Sequence, residues 1–294
     1  MLKNLTMYKL QKPWRMPPGE LEEMLSKFPL LKPNASQIQT YGWVPVGPDR
    51  QVVYSVDRHL LIALGWQKKN IPGSAVKAAV EEATKALEVQ QGFPPGKKQI
   101  RTLKEVVIAD LMARAIPSIG SVHIWIDPEN DWIVVDTSSI KKAEDALTVL
   151  RHVLGTLEVV PPQSKDLPQI YMSRWLASGH VPGGLSIGDT SSMQSSDGRK
   201  ATVKFARHEI VGCPEVTKHI DLGKVVSQIG LGWNDSAYFT FTDKFQLKSF
   251  KLAPADEADE KDSDKSLAFE ADFRLAVYAM QGSLKALCDG LEVE

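Results

Sequence analysis

The thirty residues from Val122 to Arg151 change hydrophobic period halfway along, and few folds accommodate that change. Val122, Ile124 and Ile126 alternate with His123 and Trp125, a polar Asp-Pro-Glu-Asn-Asp turn follows, and Trp132 to Val135 resumes an apolar run. Alternation at period two, interrupted by turn residues, reads as a β-hairpin. From Ala143 the apolar positions fall at Ala143, Ala146, Leu147, Leu150 and Leu154, the spacing of a helix that buries one stripe. The unit is a hairpin backed by a helix.

Similar units flank it. Residues 5–10 (LTMYKL) read as a first strand, and Leu21, Met24, Leu25 and Phe28 as a short amphipathic helix after Pro17-Pro18-Gly19. YGWVPVG marks an irregular or edge segment, and Asp57-Arg58 joins two apolar runs, 51–56 and 59–66, into a second hairpin. Pro72-Gly73-Ser74 starts a helix with the stripe Val76, Ala79, Val80, Ala83 and Leu87, and a second helix runs from about Arg101 to Ala115. These two helices are expected to form an antiparallel arm with a basic elbow at Lys97, Lys98 and Arg101. Residues 178–200 are rich in Gly and Ser and read as loops around short strands. Arg199–Phe205 and Val225–Leu231 read as strands, Pro214–Leu222 as a short helix, and Tyr238–Phe241 with Phe245–Leu252 as a third hairpin. Phe269–Leu275 then precedes a final helix carrying Met280, Leu284, Leu287 and Leu291. Strands grouped in hairpins, not alternating singly with helices, give an α+β class with largely antiparallel sheets.

The chain's 294 residues, 43% hydrophobic, are enough to fill a core. No apolar run approaches the roughly 18 to 20 residues of a membrane-spanning helix, and MLKNLTMYKL lacks the apolar block of a secretory signal, so no membrane is expected and the cytoplasm is the expected location. Cys213 and Cys288 are far apart and suggest reduced thiols. Net charge is −1, yet charge is segregated: from Trp66 to Lys104 there are eight Lys/Arg against three Glu, and from Leu252 to Glu270 seven Asp/Glu against two Lys. A nearly neutral chain can thus still present a basic face to a polyanion.

Motifs for enzymatic chemistry are scarce. Gly96-Lys97 and Gly223-Lys224 lack the other residues of a phosphate-cradling loop, and Gly230-Leu231-Gly232 lacks the third glycine of a dinucleotide fold. The six histidines have no metal-ligand spacing, so neither a metal nor a cofactor is expected. Asp127 and Asp136 bracket the hairpin and could be imagined as an acid/base pair, but a turn before Pro128 and a helix start are places where a short carboxylate caps backbone N–H groups, the stronger reading. Lys141 and Lys142 stand in the first turn of a helix, against its dipole; they could hold an anion together with the free amides there, but neutralisation by Glu144 and Asp145 is the favoured reading. Basic residues remain: Lys68, Lys69, Lys97, Lys98, Arg101 and Lys104, then Arg199, Lys200, Lys204, Arg207 and Lys224, which could line a phosphate-binding surface. Without a helix-turn-helix, zinc finger or RNA-recognition motif, such contact is expected with backbone and not base edges.

The hairpin-helix stretch carries a longer pattern: Trp125-Ile126-Asp127, Trp132-Ile133-Val134-Val135-Asp136, then KKAEDAL, and LGTL leading to Val159-Val160-Pro161. Together with KNLTMYKL, GWVPVG, Gly65-Trp66-Gln67-Lys68-Lys69, HIDLGKVV and FEADFRL, this ordered set resembles the RdgC family of bacterial recombination-associated proteins across essentially the whole chain. The resemblance implies a single unit over 1–294. Its expected parts are an N-terminal α+β part (1–66), a helical arm (67–121), the hairpin-helix (122–165), a loop-rich finger region (166–224) and a C-terminal α+β part (225–294). It further implies a curved subunit closing into a ring-shaped homodimer. Such a dimer would be non-catalytic and nucleoid-associated, bind double-stranded DNA with little sequence preference, and restrain RecA-promoted recombination. Lys224 matches a family lysine near the DNA channel, and Arg207-His208 a basic-polar pair on a projecting finger. Lys68, Lys69, Lys97 and Lys98 are further candidates for DNA contact. Ile116 stands where the family commonly places Phe, near a ring-closing contact. The competing expectation is a protein-interaction module acting directly on recombination proteins without encircling DNA.

Overall fold

The computed structural model describes residues 2–195, 201–207, 209–254 and 265–293. They divide into two compact units: 1–24, 45–62 and 122–294 form the larger, and 25–44 with 63–121 the smaller. Twelve strands and seven helices are present among the described residues, and every strand pairing with a defined register is antiparallel. The class is α+β, as the hairpin grouping predicts.

In the larger unit, β1 (Leu5–Leu10) lies between β6 (Trp132–Asp136) and β12 (Gln246–Leu252). With β5 (Pro117–Asp127), β11 (Ala237–Thr242), β10 (Lys224–Trp233), β8 (Leu185–Ser195) and β9 (Thr202–Phe205), the order is β5-β6-β1-β12-β11-β10-β8-β9. The short β7 (Val159–Val160) pairs with β1, and β3 (Val53–Val56) pairs with the start of β4 (His59–Lys69). Asp57 and Arg58, both at positive φ, make the two-residue turn between β3 and β4, whose twist suits a tight hairpin.

The helices follow from local signals. In α4 (Ile140–Leu154), Ser139 caps the first turn by accepting from the Lys142 amide at 3.4 Å, and Ala143, Ala146, Leu147, Leu150 and Val153 are buried. Gly155 ends it at φ 78°. The structure also contains α1 (Pro18–Ser26), α5 (Pro168–Ser178), α6 (Pro214–Asp221) and α7 (Lys265–Leu291). α5 is absent from the sequence expectation, because its apolar residues Tyr171, Met172, Trp175 and Leu176 are diluted by Gln, Ser and Arg over only three turns. The final helix is longer than expected: Phe269–Leu275 belongs to α7, whose buried face already includes Phe273. β8 likewise replaces expected loop with an eleven-residue strand, its Gly and Ser residues fitting a solvated sheet face.

The smaller unit holds β2 (Gln39–Val44), paired with the second half of β4, and a helical hairpin of α2 (Gly73–Gln91) and α3 (Lys97–Arg114). The YGWVPVG segment thus supplies an edge strand. Gly42 is obligatory there, since a Cβ would lie 2.4 Å from the Leu30 backbone. α3 starts at Lys97, earlier than its apolar pattern, because Gln99 Oε1 accepts the Gly96 amide at 2.8 Å and closes the first turn. No residue of α2 or α3 is fully buried. Among the described residues, no helix is long and apolar enough to cross a membrane.

Candidate nucleic-acid interface

The predicted basic residues fall into two groups, one in each unit. In the smaller unit Lys68 and Lys69 close β4, while Lys97 and Lys98 open α3. α2 intervenes, and nineteen residues of helix span roughly 28 Å, so the two pairs are not one cluster. Lys68, Lys97 and Lys98 are exposed. Lys69 is not: it is 5% exposed, and its Nζ donates to the Asn34 carbonyl at 2.6 Å and the Ala35 carbonyl at 3.5 Å. An ammonium group so held fastens the 34–38 turn to β4, and Lys69 is corrected from surface cation to internal tie. Ile116 is 90% exposed and Ile119 72% exposed beyond the end of α3. Phe93 and Val106 on the same hairpin are also largely exposed.

In the larger unit Lys224 opens β10 opposite Ser195 and is half-buried, and Arg207 follows β9, exposed and at φ 56°. His208, Arg199 and Lys200 lie outside the described residues. Lys141 and Lys142 are exposed at the start of α4.

The residues that resembled enzymatic groups have structural employment. Asp127 is fully buried, and Oδ1 accepts the amides of Glu129 and Asn130 at 3.0 and 3.3 Å. Its Oδ2 accepts from Asn130 Nδ2 and Gln281 Nε2, each at 2.9 Å. His59, 5% exposed, stands with Nδ1 3.6 Å from Asp127 Oδ1 and its ring beside Trp125. With its carboxylate oxygens committed to four donors, Asp127 ties the β5–β6 turn to α7, where the sequence shows only the turn. Asp136 also caps backbone, but Oδ1 receives the Lys3 and Asn4 amides at 2.9 and 2.7 Å, so it fastens the chain's beginning while Ser139 caps α4. His59 and Gln281 were invisible to motif reading because their partner is over sixty residues away.

A cleft of about 650 Å³ lies between the β5–β6 turn and α7, lined by Lys9, Trp132, Trp233, Lys285 and Cys288 among others. Lys9 lies over the Trp132 ring at 4.6 Å, so that aromatic face is already occupied. Burial pushes the Cys288 thiol up to about 11, which leaves it protonated at neutral pH and a poor nucleophile. Among the described residues, no group of three His, Cys, Asp or Glu side chains could hold a metal ion.

The comparisons agree with the motifs. The family model described as "Putative exonuclease, RdgC" matches residues 1–294. The chain is 33% identical to the recombination-associated protein RdgC of Dechloromonas aromatica, over 98% of this chain and 96% of that protein. It is 32% identical to the protein of the same name from Cupriavidus pinatubonensis over 98% and 97%, and 30% identical to that of Psychromonas ingrahamii over 97% and 94%. By matches that run from end to end, this chain belongs to the RdgC family of recombination-associated proteins.

Proposed function

We propose that this chain is a non-catalytic, sequence-independent duplex-DNA-binding protein that closes into a ring-shaped homodimer around DNA and restrains RecA-promoted recombination. The observation that carries the proposal is the α2–α3 hairpin, which combines exposed Lys97 and Lys98 with apolar side chains open to solvent on it, Phe93 and Val106, and just beyond its end, Ile116. Lysines serve phosphate contact and the uncovered aliphatic groups serve a second copy of the chain. Membership of a recombination-associated family supports DNA as the partner. The four donors on Asp127 and the protonated Cys288 support a binding role over hydrolysis.

The test has three parts. Sedimentation equilibrium gives the oligomeric state, with a dimer expected. Affinity for random duplex should fall steeply with salt, and closed circular DNA should retain the protein through a salt wash that releases it from linear DNA of the same length, because a closed ring can slide off only an open end. Incubation with end-labelled duplex and magnesium or manganese should leave the DNA intact. A monomer that binds both topologies equally would refute the ring, and shortened DNA would refute the non-catalytic role. Inhibition of RecA strand exchange by a variant unable to bind duplex would favour direct action on recombination proteins.

A further inference from the structure

Three consecutive residues, Asp57, Arg58 and His59, reach from the β3–β4 hairpin to other elements of the larger unit. Asp57 Oδ2 receives Arg274 Nε of α7 at 3.1 Å, and the same guanidinium meets Glu270 at 3.0 Å. Arg58 stands 3.8 Å from Glu129 of the β5–β6 turn. Both outer contacts are open to solvent and contribute little to the fold. His59 is different: it is buried between Asp127 and Gln281, with its ring beside Trp125.

The hydrogens of this trio follow from its geometry. A carboxylate oxygen only accepts, so the Gln281 atom 2.9 Å from Asp127 Oδ2 is the amide nitrogen. That nitrogen also lies 3.5 Å from His59 Nε2, the outer limit of a hydrogen bond. Two facing donors would repel, so Nε2 carries no hydrogen and the imidazole is the neutral Nδ1–H form. Its Nδ1–H points toward Asp127 Oδ1 at 3.6 Å, too far to bond, and Nδ1 has no other partner among the described residues. One amide of Gln281 thus bridges carboxylate and imidazole, while a buried donor stops short of its acceptor.

We infer that His59 is a proton-operated latch on α7. While the ring is neutral, Gln281 ties α7 to the β5–β6 turn through Asp127. A proton on Nε2 sets donor against donor at Gln281, and it creates an imidazolium beside a carboxylate that Nδ1–H can close upon. Gln281 cannot serve both neighbours in that state, because turning its oxygen toward Nε2–H would press the same oxygen on Asp127 Oδ2. Asp127 therefore exchanges Gln281 for His59, and α7 loses this tie. Asp57, Arg58, Glu129, Glu270 and Arg274, the other charged groups on these three elements around the ring, are engaged with one another, which leaves Asp127 as the counter-ion. Asp127 and Gln281 also line the 650 Å³ cleft, whose remaining charged groups are Lys9, Glu129, Asp131, Lys285 and Asp289. The exchange alters the polar wall of that cleft.

Nitrogen-15 spectra of the unaltered protein supply the first test. Above about pH 7.5 His59 should show a protonated Nδ1 and a bare Nε2, and acidification should shift the Gln281 side-chain amide with the same midpoint as the imidazole. A bare Nδ1 in the neutral ring, a ring that stays neutral until the protein unfolds, or a Gln281 amide that ignores the titration would overturn the latch. Hydrogen exchange, corrected for the intrinsic effect of pH, supplies the second. Protection of α7 around Gln281 should fall about two- to tenfold as the ring takes its proton, the scale of one hydrogen bond. His59→Phe, with its fold checked by circular dichroism, should abolish that fall. Protection that holds or rises on acidification, or a fall retained in folded His59→Phe, would overturn the proposal. If His59→Phe does not fold, the spectra and exchange of the unaltered protein decide alone.

Discussion

Two parts of this molecule are made of amphipathic helices, and only one of them buries side chains fully. α4 puts five side chains out of contact with water against β6 and its neighbours, whereas α2 and α3, longer by three residues or more, leave even Val80, Leu87, Leu103 and Leu111 partly wet. The difference is one of geometry. A sheet presents a broad surface that covers a whole helical stripe, but two helices in an antiparallel pair shield each other along a single seam. Such a pair holds its shape through helix propensity and pairs such as Lys77–Glu81 and Arg101–Glu105, each worth roughly 0.2 to 0.5 kcal/mol. Its apolar surplus stays available to another molecule.

The largest expected effect separates the two parts by stability. Phe273 is 1% exposed on α7 and meets Tyr54 edge-on at 5.4 Å. Phe273→Ala should cost about 3 to 5 kcal/mol, as truncation of a buried aromatic does. Leu103→Ala, on the half-buried seam of α3, should cost about 1 kcal/mol, on the scale of partial burial. Urea unfolding of the two variants checks the pair. Equal losses would mean that the hairpin is as closely packed as the sheet.

Glycines make the same contrast at smaller scale. On α7, a Cβ at Gly282 would fall 2.0 Å from the Trp233 indole, whose ring lies across the helix there. Gly282→Ala should therefore cost about 1 to 3 kcal/mol through forced repacking. Gly92, which ends α2 at φ 78°, has no neighbour within 4 Å of such an atom among the described residues, and Gly92→Ala meets only the left-handed backbone penalty of about 1 kcal/mol. Thermal melts should rank the variants in that order, and a larger loss at Gly92 would reverse the account of the hairpin.

What could be read from the sequence divides along the same line. The helical hairpin, the β5–β6 hairpin and α4 were legible because each rests on contacts close in sequence: a cap, a turn, a repeat of apolar residues. α5 and the first half of α7 were not, since Tyr171 and Phe273 become core only against β10 or Tyr54, over fifty residues away. The candidate basic residues were legible as composition alone. Nothing local distinguishes Lys69, whose ammonium is held by Asn34, from Lys68, whose side chain is exposed.

A smaller effect on folding accompanies a large one on assembly at Ile116. An exposed side chain contributes little to the isolated chain, so Ile116→Asp should change unfolding free energy by about 0.5 kcal/mol or less. If the uncovered end of the hairpin meets a second copy, the same variant should sediment as a monomer at concentrations where the parent protein is a dimer. A dimer undiminished by Ile116→Asp would remove this residue from the contact and leave the exposed seam without that explanation.

The smallest expected effect depends on pH and belongs to the sheet alone. His123 on β5 has its pKa lowered from 6.5, chiefly by burial, which penalises the imidazolium, with the Asp136 carboxylate acting in the opposite direction. Above pH 6.5 the ring is neutral in both the folded and the unfolded chain and adds nothing to the balance. Between 6.5 and the lower folded value the unfolded chain takes up a proton that the folded one refuses, so stability falls as the solution is acidified through that window. The helical hairpin from Gly73 to Arg114 contains no histidine. His123→Gln should thus flatten the fall in melting temperature between pH 6.5 and 5 relative to the parent, and hydrogen exchange should locate the difference in β5 and β6. An identical pH profile in the variant would show that the imidazole stays as accessible to protons in the folded sheet as in the unfolded chain.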